Sequence, residues 1–283
     1  MNQLSTAKRI QIVSGLQEGL SIRAISRLVG CSTNTTLKLI ADLGRACATF
    51  HDEEVREVQA ERVQCDEIWG FCYAKRANVP EDKKGVFGFG DVWTFVSIDA
   101  DTKLVPSWLV GMRTIECARA FMEDLKGRLA TGHRIQLTTD GHNTYLRSVW
   151  EVFKRDIDFG MLMKVYAGGE RERGTVRYSP SQLVKAEKEV IRGNPNIDKI
   201  STSYVERLNL TTRMSMRRFT RLTNGFSKKV ENLEQALAIY FTHYNWVRVH
   251  RTLKTTPAVA AGLAEKPWPM ERLIGLLNRE KSN

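Results

Sequence analysis

Three acidic residues lie where a carboxylate needs a reason to be. Asp66 falls in the middle of VQCDEIWGFCY (63–73), whose β-branched, aromatic and Cys residues describe a buried strand. An uncompensated charge there costs several kcal/mol unless it is paired or holds a metal. Glu67 follows directly, but strand side chains alternate, so only one of the two is expected to face a given site. Asp140 ends a short strand, 135–139, at an Asp-Gly step. The C-terminal edge of such a strand opens into a crevice, although Asp-Gly is equally a turn-former. Glu206 lies in STSYVERLNLTTRMSMRRFTR (201–221). Carboxylates from two strands and a helix suit hard divalent cations. A pair of Mg²⁺ ions, with Mn²⁺ as a substitute, set roughly 3.5–4 Å apart would activate an attacking oxygen and steady a leaving one. Glu206 also has a plainer reading, as half of an intrahelical ion pair with Arg207 or Arg213.

The elements that must position these groups can be read from periodicity. Segment 201–221 contains no Gly or Pro, so an unbroken helix is expected through it. Val205, Leu208, Thr212, Met216 and Phe219 form one largely apolar stripe, and Glu206, Asn209, Arg213 and Arg217 share the adjacent face. Asn209 and Arg213 are therefore candidates to position phosphate or support metal ligands. Arg217, Arg218, Arg221, Lys228 and Lys229 suit the tracking of a DNA backbone, or simply a solvated face. His142, two residues past Asp140, is a candidate phosphate contact or an uninvolved loop histidine. Strands are expected over 63–73, 89–99, 104–112, 135–139 and 161–166, with helices over 114–129 and 145–153. A turn at 101–103 joins the second and third strands. Three strands, a helix, a strand, a helix, a strand and further helices give a mixed sheet covered by helices. That is the order of ribonuclease-H-like folds, an α/β class. Trp69, Trp93 and Trp108 read as core.

Residues 1–48 read as a separate all-α unit. Helices are expected over 7–17, 22–29 and 33–43, with Ser21 as an N-cap and Gly30 in the turn. A helix–turn–helix whose last helix leads with Thr33, Asn34 and Thr35, with Lys38 a turn later, suits entry into a major groove; a plain packing domain is the alternative. Residues 49–62 are polar and acidic, as a linker would be. The catalytic domain is expected over 63–250. It includes an irregular insertion at about 167–199, with a helix over 181–192, and a helical tail follows at 251–283.

The formal net charge of +11 over 283 residues points to a polyanionic partner. No apolar run approaches the roughly 18 residues of a membrane span. The first residues lack the apolar region of a secretory signal. Five cysteines without a C-x-x-C pair argue against a disulfide framework or a zinc knuckle. Cytoplasm, at a bacterial or archaeal nucleoid, is the expected location.

The chain resembles the DDE-type transposases of bacterial insertion sequences, most closely the insertion-sequence-one family. The resemblance rests on CDEIW (65–69), TTDGHNTY (138–145), the 201–229 segment and HYNWVRVHRTLKTTPAVAAGL (243–263). It implies a triad of Asp66, Asp140 and Glu206 binding two Mg²⁺ ions in a ribonuclease-H-like domain. It also implies attack on phosphodiesters by water and then by a DNA 3′-hydroxyl, without a covalent enzyme intermediate. The implied partners are the terminal inverted repeats of the element, target DNA and at least one further copy of the chain. Many members carry an N-terminal cysteine-rich zinc motif that this sequence lacks. A catalytically silent DNA-binding regulator derived from a transposase is the alternative function, and a stand-alone ribonuclease-H-like nuclease is a third.

Overall fold

The computed structural model describes residues 4–166, 183–220 and 223–279. In chain order these form α1 (Thr6–Gln17), α2 (Ile22–Val29), α3 (Thr33–Glu54), β1 (Arg62–Cys72), β2 (Gly90–Asp99) and β3 (Trp108–Gly111). Next come α4 (Ile115–Arg128), β4 (Ile135–Asp140), α5 (Asn143–Phe153), β5 (Ile157–Tyr166) and β6 (Leu183–Arg192). The chain closes with α6 (Ser203–Ser215), α7 (Val230–Thr242), α8 (Pro257–Ala260) and α9 (Met270–Arg279). A π-helical turn, His243–Val247, extends α7.

The strands form one six-stranded sheet in the order β3-β2-β1-β4-β5-β6. β1 pairs antiparallel with β2 and parallel with β4, and β4 pairs parallel with β5. The sheet is therefore mixed and flanked by helices, with the ribonuclease-H-like order expected from the sequence. Period-two alternation along β1 divides the core. Val63 and Cys65 pack with Phe121 of α4 and Tyr145 of α5. Ile68 and Cys72 pack with Val205 and Leu208 of α6 and Leu237 of α7.

Two expected helices are corrected. The segment read as a helix over 181–192 is β6, which pairs antiparallel with β5. Its Ala, Lys and Glu favour helix, but pairing satisfies the backbone of β5, which would otherwise be an open edge. Val184 through Val190 are exposed, and the alternating charges suit a sheet rim. Residues 167–182 of the expected insertion lie outside the described residues. The second correction concerns 201–221. α6 stops at Ser215, Met216 is extended (φ −113°, ψ 110°) and a short 3₁₀ turn spans Arg217–Phe219. Leaving the helix brings Phe219 against the bare backbone at Gly70 of β1, where a Cβ would lie 3.3 Å from the ring. The predicted stripe is still buried throughout, from Val205 (0% exposed) to Phe219 (4%).

The N-terminal helices are continuous with the rest. α3 runs on through the position expected to end the first unit and through half of the expected linker. It carries apolar residues as far as Phe50 and is pinned at its end by buried Arg128 of α4. That guanidinium donates to Asp124 (2.8 Å), Asp52 (3.0 Å) and the His51 carbonyl (3.3 Å). Residues 55–60 are packed rather than free. Val58 N donates to Arg128 O (2.9 Å), and Ala130 N donates to Val58 O (3.0 Å). α3 also crosses α7 closely: a Cβ on Gly44 would lie 2.5 Å from Gln235 Cβ. Leu273, Ile274 and Leu277 of α9 join the same core, so the tail caps it. Trp69, Trp93 and Trp108 are half-buried rather than fully interior. No helix of the described residues is long and apolar enough to cross a membrane.

Candidate metal centre

The site forms where β1 and β4 stop pairing. Their parallel ladder ends at Cys65↔Thr139, so the next residues, Asp66 and Asp140, flank the opening between the strands. One Asp66 oxygen, Oδ1, accepts the Glu67 N–H (2.8 Å), and the other, Oδ2, accepts Asn209 Nδ2 (2.8 Å). Asp140 Oδ1 accepts the His142 N–H (3.1 Å), which closes the turn into α5.

α6 is fixed over β1 at two heights. Gln64, two residues before Asp66 and on the same face, accepts both Tyr204 N (2.9 Å) and Val205 N (3.1 Å) through Oε1. It thereby caps the first turn of α6 from the sheet, serving N–H groups that have no partner within the helix. One turn above Glu206, Asn209 reaches down to Asp66. The approach to α6 is seated by Ile200 on Gly160 of β5, where a Cβ would lie 2.5 Å from Ile200 Cδ1.

Glu67 departs from the expectation that only one of the neighbouring acids can serve the site. The two side chains do leave opposite faces: Asp66 turns to Asn209 on α6, whereas Glu67 turns to Arg113 (Nη2–Oε2, 3.1 Å). Beside a lapsed strand pair, opposite faces are not separated by backbone. One carboxylate oxygen from each of Asp66, Glu67 and Asp140 lies within 4.8 Å of the others. The Glu67 side chain is 1% exposed. Among the described residues its Oε1 has no hydrogen-bond partner, and Tyr145 Oη stands beside it without closing a good hydrogen bond. Gln64 and Arg113 were missed by sequence reasoning, and Glu67 was weighed but left with only one of the two neighbouring acids expected at the site. A Gln and a Glu flanking Asp66 within an otherwise apolar strand were the available signal.

Glu206 lies on the same side but is engaged elsewhere, in an ion pair with Lys164 of β5 and a hydrogen bond from Thr202 Oγ1. It is near enough for its charge to act on Asp66, yet it stands outside the tight group of three. Burial, and then the nearby charges of Asp140, Glu67 and Glu206, push the Asp66 carboxyl up to about 7, against the pull of its bond from Glu67 N. Burial first, and then Asp140, raises Glu67 as well. Crowded carboxylates of this kind shed the mutual repulsion by taking up a proton or a cation.

An all-oxygen donor set, with excess negative charge and a buried carboxylate oxygen lacking a partner, fits Mg²⁺ or Mn²⁺ better than a sulfur- or imidazole-preferring metal. His142 sits at the rim and caps α5, its Nδ1 2.6 Å from Thr144 Oγ1. Burial, and then the Arg113 charge, lower its pKa.

The expected DNA contacts are scattered. Thr33, Asn34, Thr35 and Lys38 are exposed on the first turns of α3. Arg217, Lys228 and Lys229 are exposed beyond α6. Asn209 is buried in the site. Arg213 is half-buried, with Nη1 3.5 Å from Trp69 O. Arg218 is half-buried: it turns inward and donates to Ser227 Oγ (2.7 Å). Arg221 lies outside the described residues.

Comparison with known proteins adds a likeness of fold. The chain is similar to the Mos1 mariner paired end complex with Mn at 10% identity and TM-score 0.36, covering 99% of this chain and 80% of that one. It is similar to the piggyBac transposase synaptic complex with hairpin DNA at 11% identity and TM-score 0.42, covering 98% and 72%. At these scores neither likeness assigns a residue or an activity. No protein-family model matches the chain, and no curated protein matches it.

Proposed function

We propose that this chain is a DNA transposase of the insertion-sequence kind, cutting and joining DNA strands at the Asp66–Asp140 crevice. The observation that carries the reading is the convergence of Asp66, Glu67 and Asp140 at the end of a parallel strand pair, with α6 fixed over them. Asp66 and Asp140, joined by Glu67 or Glu206, would hold divalent metal. Such a metal supplies activation of the attacking oxygen and charge relief at the leaving one. The protein's own part is positional. Asn209 aims Asp66, the His142 N–H aims Asp140, and Gln64 fixes the height of α6.

DNA would reach the crevice across a basic surface. The exposed first turn of α3 is proposed as the base-reading helix of a helix-turn-helix. Arg217, Lys228 and Lys229 are proposed as phosphate contacts. If six to ten cations meet phosphate, affinity falls roughly 10³–10⁵-fold between 50 and 200 mM salt. Two ends must be brought together, so a dimer or larger assembly is the working form.

One observation favours the silent-regulator alternative: Glu206 is paired with Lys164. The test uses a plasmid carrying the native flanks of the gene, with Mg²⁺ or Mn²⁺ added, and maps new ends and joints. Breaks at two fixed inverted sequences, lost in Asp66→Asn, are expected. Folded, DNA-binding wild-type protein that makes no metal-dependent break would leave the regulator reading standing.

A further inference from the structure

A second concave site lies at the far end of α6, about 14 Å along the helix from Glu206 at roughly 1.5 Å per residue. It is a groove of about 750 Å³ between α1, α2 and the start of α3 on one wall and residues 216–218 and 224–240 on the other. Its floor is apolar, with Leu16, Leu20, Leu37 and Tyr240 among the lining side chains. Arg23, Arg217, Arg218 and Lys228 also line it, and among the described residues no acidic side chain does.

Two buried polar atoms of these walls have no partner among the described residues: Gln17 Oε1 on α1 and Arg218 Nη2 opposite. Gln17 is 7% exposed. The Arg218 guanidinium is held by its bond to Ser227 and has burial lowering its pKa. Buried polar groups are rarely left unpaired, because each has given up its hydrogen bonds to water. An occupant that satisfies both atoms needs an anionic group for Arg218, a hydrogen-bond donor for Gln17 and an apolar body between them.

We infer that this groove takes one nucleotide displaced from its duplex, with the phosphate against Arg217 and Arg218 and the base among Leu16, Leu20 and Leu37. A base edge supplies the N–H that Gln17 Oε1 accepts. Phosphate charge plus a flat ring with donors is the combination these walls select. The exposed Thr33 at the groove mouth belongs to the proposed base-reading turn, so a strand passing α3 has direct entry. That the nucleotide comes from DNA, not from a free pool, rests on the function proposed above.

The experiment uses full-length Asp66→Asn protein with ¹³C-labelled methyl groups, so that strand cutting plays no part. Titrants are short single-stranded oligonucleotides, matched duplex, the four deoxynucleoside monophosphates and inorganic phosphate. Saturable shifts at the Leu20, Leu37 and Met216 methyls with single strands, at lower concentration than with monophosphates, are expected. Leu20→Trp fills the groove while keeping every cation, and Arg218→Gln removes the anion donor. Each should weaken single-strand binding about tenfold or more, and Leu20→Trp should leave duplex affinity unchanged. Groove methyls that ignore single strands overturn the inference, as does a response to inorganic phosphate equal to that for nucleotides. Tighter binding of monophosphates than of strands overturns the DNA source. Loss of plasmid cutting with groove binding intact would count against the transposase reading only.

Discussion

Asn209 Nδ2 stands 2.8 Å from Asp66 Oδ2, joining the helix that carries Glu206 to the strand that carries the first carboxylate. Asn209 is 8% exposed and its own Oδ1 has no partner among the described residues, so its orientation is set by what it gives to Asp66. Asn209→Ala should leave the fold in place but free the Asp66 carboxylate to rotate. Loss of a residue that orients a metal ligand typically costs 10–100-fold in metal affinity or activity. Titration with Mn²⁺ should show that weakening, and Asn209→Asp should behave differently, adding charge that tightens metal but destabilises the metal-free protein.

The raised Asp66 carboxyl predicts a pH signature. Its folded pKa, about 7, lies above the ordinary carboxylate value of 3.8, so the folded state binds the proton more tightly. Its contribution to stability is complete below pH 3.8 and declines as pH rises toward 7, beyond which the full penalty of the buried charge remains. Asp66→Asn removes the titration. The variant should gain stability over wild type at pH 8 and show little gain at pH 4, as thermal melts in metal-free buffer would reveal. A difference of the same size at both values would mean that burial of this charge is not what destabilises the metal-free state.

The elements that position the site were largely readable from the residues, and the failures share a cause. The strand order, the burial of the Val205–Phe219 stripe and the Ser21 cap follow from local pattern, which the chain obeys. The β6 strand does not, because its helix-favouring composition is overruled by a β5 edge that only the assembled sheet presents. α6 ends early because Gly70, far away in sequence, leaves room for Phe219. Alternation placed Glu67 on the wrong side of a wall that is missing: the β1–β4 ladder lapses just there, and no local pattern reports where two strands part. Arg218 looked like a surface cation because its partner, Ser227, lies across a turn.

Gly44 tests whether the N-terminal helices are a separable unit. A Cβ there would meet Gln235 Cβ at 2.5 Å and Gln235 Cα and O at 2.7 Å, so backbone itself must move. Overpacking of this sort costs roughly 1–3 kcal/mol. Gly44→Ala should therefore lower the midpoint of the main denaturant transition for the whole chain, followed by circular dichroism. An independent N-terminal domain would instead leave that transition unchanged.

For the proposed metal centre, Glu67 is better placed than Glu206 to serve as third ligand. Glu67 is already within 4.8 Å of both aspartates and has a free buried oxygen, whereas Glu206 is tied to Lys164 and Thr202. For Glu206 to join, the Lys164 pair must break, at a modest cost given that Glu206 is 44% exposed. Glu67→Gln should therefore weaken the first Mn²⁺ bound by tenfold or more, and Glu206→Gln by less. Lys164→Met, which frees Glu206, should strengthen binding in wild type and lose that effect in the Glu206→Gln background. Calorimetric titration of the five proteins separates the possibilities, because a greater loss in Glu206→Gln than in Glu67→Gln would show that α6 closes onto the metal and displaces Glu67.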